Sequence, residues 1–415
     1  MSSFKQTNKK TILHIDINSY FATVLQQENP QLRDRPIGVV KDHGRTCIIA
    51  ASKEAKALGA YTGMRKQEAQ KSIPGMLYIP ATFDRYLATT KRLQALFFQI
   101  APSVYMYSLD EAFIDITDCK QHLYKDPEKL GFQIQQRIKK ELGEWVTCNV
   151  GISHNRLLAK MTSEVSPKGS ITTVSPDTQD ALLARVTFKD VCGIGYRLAK
   201  KLCLLGVKHP YQIRFYTEEE LQPLFGPFWS KELLKIAYGK EPHFLELLDT
   251  PQTQMKSVGR SVTGYRLYTK DEEIKSILSN LCLEVIDKVR TFNSGGRTIW
   301  LGLYGREMQW STHITLQTPI QQSSELIHWM HHLYKRRPNA FPVIKFAIRL
   351  SLLEPHIQSS LLPAWQKNEA IQKALDTINK KYGLFTACPA SINAAHLIRP
   401  EVTGFLGDRL YQLRQ

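Results

Sequence analysis

The chain has 415 residues, with 55 Lys and Arg against 38 Asp and Glu, a formal net charge of +17 and a pI near 9.4. That length exceeds what one hydrophobic core supports, so several domains are expected, and the charge calls for a polyanionic partner, either nucleic acid or an anionic membrane surface. Membrane, secreted and zinc-bound classes are disfavoured. No apolar run approaches the roughly 18 residues needed to span a bilayer, Met1–Lys10 is polar and basic without a signal-peptide core, and 7 scattered Cys with no Cys-x-x-Cys pair read as reduced thiols of a cytoplasmic protein.

In chain order, Thr11–Ile15 is a short β-type run that stops at Asp16. A helix from about Asn18 to Gln27 follows, with Asn18 or Ser19 as its cap. Pro36–Val40 and Cys47–Ala50 are the next strands, and Lys53–Leu58 is a short helix stopped by Gly59. A longer helix covers about Tyr86–Ile100. Val104–Tyr107 and Ala112–Ile116 form a hairpin with Ser108-Leu109-Asp110-Glu111 at its turn. Gly131–Leu142 is helical, Val146–Ile152 a strand, and Asn155–Glu164 helical again.

From about Asp180 to Glu241 the chain is helical, centred on Val191-Cys192-Gly193-Ile194-Gly195, a pattern that resembles a helix-hairpin-helix. Gly193 and Gly195 would let backbone N–H groups approach a DNA phosphate at a helix N-terminus. Residues 245–254 read as a linker. Beyond it come a strand at Val258–Tyr268, a helix at Glu272–Phe292, strands at Arg297–Tyr304 and Thr312–Gln317, a helix at Glu325–Arg337 and a strand at Val343–Leu352. That order, β-α-β-β-α-β, is the ferredoxin-like split motif. In the last strand Ile344, Phe346, Ile348 and Leu350 alternate inward, and Lys345, Arg349 and Ser351 outward. This module carries 14 Lys and Arg against 7 Asp and Glu, so a sheet face bearing Lys345 and Arg349 suits a phosphate backbone. Residues 353–415 hold one helix, Lys367–Lys381, and no legible role.

The chemistry centres on Asp16, Asp110 and Glu111. Each lies where an apolar strand pattern stops. Adjacent strand residues point to opposite faces, so Asp110 and Glu111 can share a site only because the backbone turns there. Converging carboxylates repel unless divalent cations neutralise them, and two metals clamping a phosphate is the usual use of such a group. The helix after Asp16 opens with N–H groups able to hold triphosphate oxygens. Lys53 and Lys56, at i and i+3, could reach one anion. Lys160 follows a strand that should neighbour the hairpin, and Phe21 could pack against a nucleotide sugar.

Four segments carry a resemblance: Asp16-Ile17-Asn18-Ser19-Tyr20-Phe21, Ser108-Leu109-Asp110-Glu111-Ala112-Phe113-Ile114-Asp115, Val150-Gly151-Ile152-Ser153 with Leu158-Ala159-Lys160, and Cys192-Gly193-Ile194-Gly195. In this order they resemble the Y-family of translesion DNA polymerases, nearest its DNA polymerase IV-like branch, over about Thr11–Leu352. The resemblance implies a multidomain α+β fold. A palm would occupy residues 1–180, with small fingers inserted at about 30–85, followed by a helical thumb at 181–244 and a little finger at 255–352. It implies two Mg²⁺ ions, with Asp16, Asp110 and the carbonyl of Ile17 as ligands and Glu111 at the catalytic metal. Phe21 would exclude a ribose 2′-hydroxyl. Tyr20, through its backbone, and Lys160 would contact the incoming triphosphate. The fingers helix of this family commonly reads Tyr-Glu-Ala-Arg. Here Lys53-Glu54-Ala55-Lys56 keeps the charge but loses the bidentate fork of Arg and the phenol of Tyr.

The expected partners are primer–template DNA and deoxynucleoside triphosphates, acting with a monomer. Clamp-binding peptides often end chains of this family, and Leu410–Gln415 matches them poorly. No second acid cluster suggests a proofreading nuclease. Two rival readings have distinct signatures. A non-catalytic DNA-repair adaptor of the same shape would lack the acids, and a cyclase with a palm-type core would need no duplex grip.

Overall fold

The computed structural model describes residues 10–41, 46–119, 126–249, 255–355, 363–383 and 386–388. They fall into two compact units, divided after residue 251. No helix among the described residues is long and apolar enough to cross a membrane.

The elements of the first unit are β1 (Ile12–Ile17), α1 (Tyr20–Glu28), β2 (Ile37–Val40), β3 (Ile48–Ala51), α2 (Lys53–Ala57), α3 (Lys66–Ser72), β4 (Leu77–Pro80), α4 (Phe83–Phe98), β5 (Ser103–Met106), β6 (Glu111–Asp115), α5 (Pro127–Leu142), β7 (Cys148–Ser153), α6 (Arg156–Val165), β8 (Ile171–Thr173), α7 (Gln179–Arg185), α8 (Tyr196–Leu204), α9 (Glu218–Ala237) and α10 (His243–Glu246). The larger sheet has the order β5-β6-β1-β7-β8 and is antiparallel except for the β7–β8 pair. Alternation along β1 sends Leu13, Ile15 and Ile17 into a core shared with α1, α4 and α5. It turns Ile12, His14 and Asp16 to the opposite face, where Ile12 and Phe113 pack on Ala159 of α6. A smaller sheet, β3-β2-β4, covers 37–80. Sequence periodicity identifies β2 and β3 there but misses α3 and β4, which have too few apolar repeats to register.

Helices α7 to α10 build a third core around Leu183, Leu202, Leu233 and Leu245, and α6 contributes Leu157, Leu158 and Met161 to it. The hairpin motif differs from the expectation in two ways. A 3₁₀ turn, Phe188–Asp190, stands where a first helix would be. The two glycines also have different causes. Gly193 has φ +84 and a Cβ there would lie 2.4 Å from the Phe244 ring, whereas nothing lies within 4 Å of a Cβ at Gly195, the residue capping α8. The linker likewise starts later than 245. Leu245 is fully buried and its carbonyl accepts from Arg156 at 3.3 Å. Residues 250–254 lie outside the described residues.

The second unit contains β9 (Ser257–Tyr268), α11 (Asp271–Thr291), β10 (Ser294–Tyr304), β11 (Gln309–Ile320), α12 (Ser323–Lys335), β12 (Val343–Pro355) and α13 (Pro363–Tyr382). Its antiparallel sheet runs β11-β10-β12-β9, with α11 and α12 covering one face. Phe346, Ile348 and Leu350 face that core, but Ile344 does not. The register shifts between Val343 and Lys345, and the bulge makes Val343 the buried residue instead. The strand also runs past Leu352 to Pro355. The tail helix α13 belongs to this unit. Arg290 of α11 grips Asp376 with two bonds of 2.8 Å, and Ser323 donates to Gln372 at 3.1 Å. Leu410–Gln415 lies outside the described residues.

Candidate active site

Strand pairing sets the frame. Asp16 stands opposite Glu111 of β6 on one side and Asn149 of β7 on the other. The Ile17 N–H donates to the Asp110 carbonyl at 3.0 Å, which draws the hairpin turn to the end of β1. Inside that turn Ser108 hydrogen-bonds the Asp110 carboxylate, and Leu109 is buried with its carbonyl accepting from Thr90 of α4 at 2.8 Å. The Tyr20 hydroxyl joins the same brace, donating to the Tyr86 carbonyl at 2.7 Å and lying 2.9 Å from Thr90 Oγ1. Its side chain is therefore a structural tie under the turn, which leaves only its backbone for a ligand.

The three carboxylates differ electrostatically. Burial, then the nearby Glu111 and Asp110, pushes Asp16 up to about 7. Burial, then Glu111, pushes Asp110 up to about 6, against the opposing bond from Ser108. Burial would raise Glu111 too, but the ammonium of Lys160 beside it holds Glu111 down to about 2. Lys160 Nζ sits 2.6 Å from Glu111 Oε2 and 3.0 Å from Glu164 Oε1, over the Tyr107 ring at 5.3 Å. Burial alone would lower the Lys160 pKa, and the two carboxylates raise it instead. The Lys160 ammonium is thus paired with Glu111 and Glu164.

Among the described residues no trio of His, Cys, Asp or Glu is arranged to hold a metal ion. Glu111 has taken a lysine as its counter-charge, and Asp16 and Asp110 are left as two half-buried, mutually repelling carboxylates. Hard oxygen donors of that kind fit Mg²⁺.

A cationic rim faces them. Lys56 donates to Ser19 Oγ at 2.9 Å, and its pKa is lowered first by burial and then by Lys168. Lys168 Nζ lies 3.8 Å from Asp16 Oδ2. Sequence reasoning missed Lys168, although Ser166-Pro167-Lys168-Gly169 marks a turn just after the Lys160 helix. Asn149 holds that turn in place, accepting from Gly169 N at 2.7 Å and donating to the Ser163 carbonyl at 2.7 Å. Between the acids and the lysines begins α1. Ser19 has φ 50 and makes no side-chain cap, contrary to the expected Asn18 or Ser19 cap, and Asn18 instead donates to Thr147 at 3.1 Å. The first turn of α1 thus presents uncapped N–H groups beside Lys56.

The structure separates Lys53 from Lys56. Lys53 Nζ lies 4.6 Å from the centre of the Trp145 ring, which Arg33 also approaches at 5.1 Å. Phe21 is 8% exposed and stacks on Tyr86, with centroids 4.2 Å apart and planes at 23°. Phe83 meets the same ring edge-on, with centroids 6.1 Å apart. Outside this cluster, Lys345 and Arg349 are exposed on the open face of the C-terminal sheet, over Tyr304 at 5.3 Å and Trp300 at 5.4 Å.

The chain is similar to known proteins in sequence and in fold. The model of the impB/mucB/samB family matches residues 15–164, and that of the impB/mucB/samB family C-terminal domain matches 255–361, together more than half of the chain. DNA polymerase IV of Desulfatibacillum aliphaticivorans is 29% identical over 395 residues, covering 92% of this chain and 96% of that protein. DNA polymerase IV 1 of Bacillus subtilis is 27% identical, covering 90% and 91%. In fold, the chain is similar to a Y-family DNA polymerase chimera of Dbh and Dpo4, with a TM-score of 0.71 and 23% identity over 83% of this chain and 99% of that one. The chain belongs to the impB/mucB/samB family, the Y-family of DNA-directed DNA polymerases, on its DNA polymerase IV-like branch.

Proposed function

We propose that the chain is a translesion DNA polymerase that copies a template without proofreading, by two-metal-ion nucleotidyl transfer. The observation that carries this is the pairing of two half-buried, pKa-raised carboxylates, Asp16 and Asp110, with an uncapped helix N-terminus and the ammonium groups of Lys56 and Lys168. Acids alone would suit a hydrolase or a structural ion. Acids facing a phosphate cradle suit a triphosphate.

In this reading Asp16, Asp110 and the Ile17 carbonyl would hold Mg²⁺, and Glu111 would serve the ion nearest the primer terminus. Bound Mg²⁺ would make the primer 3′-hydroxyl a better nucleophile and offset charge on the triphosphate. The first turn of α1 would hold phosphate oxygens, and Lys56 and Lys168 would offset charge on the departing pyrophosphate. The 3′-oxygen attacks the α-phosphorus in line, the bond from that phosphorus to the bridging oxygen breaks, and the hydroxyl proton leaves to solvent. Lys160 would keep Glu111 ionised and in place. Gly193, Gly195, Lys345 and Arg349 would track the duplex backbone. A cytoplasmic monomer is sufficient for this chemistry.

The test is extension of a primer on undamaged and lesion-bearing templates in Mg²⁺. A non-catalytic adaptor would bind the duplex and extend nothing. The sugar assignment has its own test. If Phe21 gates the 2′-hydroxyl, Phe21→Ala raises ribonucleotide use relative to deoxynucleotide use. Because the ring also stacks on Tyr86, the variant should lose about 3 kcal/mol of stability as well. An unmoved ratio with lowered melting would make Phe21 a packing residue only.

A further inference from the structure

A buried imidazole beside Glu111 has no task in the proposed chemistry. His14 is wholly inaccessible. It stands in β1 between Phe113 and Gly151, two residues before Asp16 and on the same face. Gly151 explains how α6 comes so close. A Cβ there would lie 2.1 Å from the Ala159 carbonyl oxygen and 2.6 Å from the Ser163 nitrogen. That approach sets Ser163 Oγ 2.6 Å from His14 Nδ1. The same hydroxyl donates its one proton to the Lys160 carbonyl at 2.8 Å. With the hydroxyl proton so placed, Ser163 accepts from His14 and Nδ1 carries the hydrogen. The opposite nitrogen, Nε2, is buried without a hydrogen bond and lies 3.4 Å from Glu111 Oε2. The Phe113 ring, its centroid 4.8 Å away, closes another side of the imidazole.

We infer that His14, anchored by Ser163, is a positioning residue that sets the direction in which Glu111 presents its carboxylate. The inference rests on the polymerase reading above. Lys160 and the imidazole edge both act on Oε2, one attracting it and the other blocking its retreat toward β1, so Oε1 is the oxygen that can turn to the reaction. The placement depends on four elements. β1 supplies the ring, β6 the carboxylate, β7 the glycine, and α6 both the anchor and the ammonium. Residues that orient a ligand from behind typically affect rate by about 10–100-fold when removed.

The test compares wild type with His14→Leu, His14→Asn and His14→Gln in primer extension with Mg²⁺, with duplex affinity and melting measured on the same proteins. Asn keeps an amide nitrogen at the Nδ1 position and the bond to Ser163 but ends short of Glu111. Gln reaches the Nε2 position with a polar tip. Leu and Asn are expected to lower kcat about 10–100-fold with KM and duplex affinity nearly unchanged, and Gln to recover most of the loss. If activity follows melting temperature across all three variants, with Gln as poor as Leu, His14 only fills space and the inference is overturned. A second readout needs no activity. Imidazole ¹⁵N shifts of the protein in EDTA should show the Nδ1–H tautomer for His14 in wild type and its loss in Ser163→Ala, and an Nε2–H tautomer in wild type would overturn the anchoring. A wild type that extends no primer while showing the Nδ1–H tautomer would instead overturn the polymerase reading.

Discussion

The two larger sheets of this molecule are both largely antiparallel, and they handle polar groups in opposite ways. In the first unit β1 and β7 are buried on both faces nearly throughout, since α1, α4 and α5 cover one side and α6 the other. Every polar side chain there must find a partner or lose free energy. His14, Asn149 and Ser163 find partners, and Asp16 and Asp110 are left with raised pKa values. In the second unit β9 alternates buried and exposed residues and β11 half-buried and exposed ones, because helices cover one face only. Lys345 and Arg349 on its open face reach water and rest on aromatic rings. Burial on both faces thus concentrates unmet electrostatic demand at one point, which is what catalysis needs. An open face spreads weak, interchangeable contacts, which is what holding a polymer of any sequence needs.

The sharpest way to break this contrast is at the point of concentrated demand. Asp110→Ala and Glu111→Ala are each expected to reduce nucleotide incorporation by at least about a thousandfold, roughly 4 kcal/mol of transition-state stabilisation, with duplex binding nearly intact. Incorporation within about tenfold of wild type would remove both from the reaction.

Each sheet also contains a buried ion pair, and the two should respond differently to replacement. Lys160–Glu111 lies in the candidate site, whereas Arg260 and Glu284 pair inside the core of the C-terminal unit at 7% and 1% side-chain exposure. Glu284→Ala strands a buried guanidinium and should cost about 3–5 kcal/mol of stability. The double replacement Arg260→Met with Glu284→Leu should recover most of that or exceed wild type in a denaturant titration. The corresponding apolar replacement of Lys160 and Glu111 should preserve folding and abolish incorporation. A double C-terminal variant no more stable than Glu284→Ala would mean that the Arg260 pair specifies the fold in a way simple desolvation does not capture.

What the sequence reveals about each sheet follows from the same difference. The C-terminal unit is readable almost element by element because a half-exposed sheet imprints a two-residue period and its helices a 3.6-residue one. The bulge at Ile344 escapes, since a single inserted residue leaves the alternation around it intact. The acids are readable because they interrupt apolar runs. His14, Asn149 and Lys168 are not, because their significance arises from contacts between distant segments. His14 meets Ser163 only across the gap that Gly151 leaves, and Lys168 reaches Asp16 only because Asn149 fixes its turn. Lys53 and Lys56 share a face by spacing, yet a tryptophan 92 positions further along draws Lys53 away.

The raised carboxylates can be weighed without measuring catalysis. An acid whose pKa is higher folded than unfolded binds more protons in the folded state between the two values. Its stabilising contribution is complete below its ordinary pKa near 3.8 and is lost as pH rises towards about 7 for Asp16. Asp16→Asn, which cannot ionise, should therefore leave metal-free stability near wild type at pH 4 and raise it at pH 8. The gain should be on the order of 2 kcal/mol, given about 1.4 kcal/mol per pKa unit and some solvent screening at the edge of the site. Millimolar Mg²⁺ should stabilise wild type at pH 8 and have less effect on the variant. A gain equal at both pH values would mean that the substitution acts through packing.

The smallest effect tests the open sheet. Register sets Lys345 opposite Tyr304 and Arg349 opposite Trp300, on the face away from α11 and α12. Each cation therefore stands over a ring that restricts its motion without neutralising it, and the flanking Thr263 and Gly259 of β9 leave its charge open to solvent. If this face follows a phosphate backbone, affinity should ignore base sequence and fall steeply with salt. Lys345→Ala with Arg349→Ala should then flatten the slope of log affinity against log salt by up to about 0.9 for each phosphate that the protein no longer neutralises. Trp300→Leu with Tyr304→Leu keeps both charges and should weaken binding while leaving the slope as it was, because no counterion release is removed. A slope that the charge variant does not change, or that the aromatic variant changes equally, would mean that the cations of this face only solubilise it, and that the net positive charge engages DNA elsewhere on the chain.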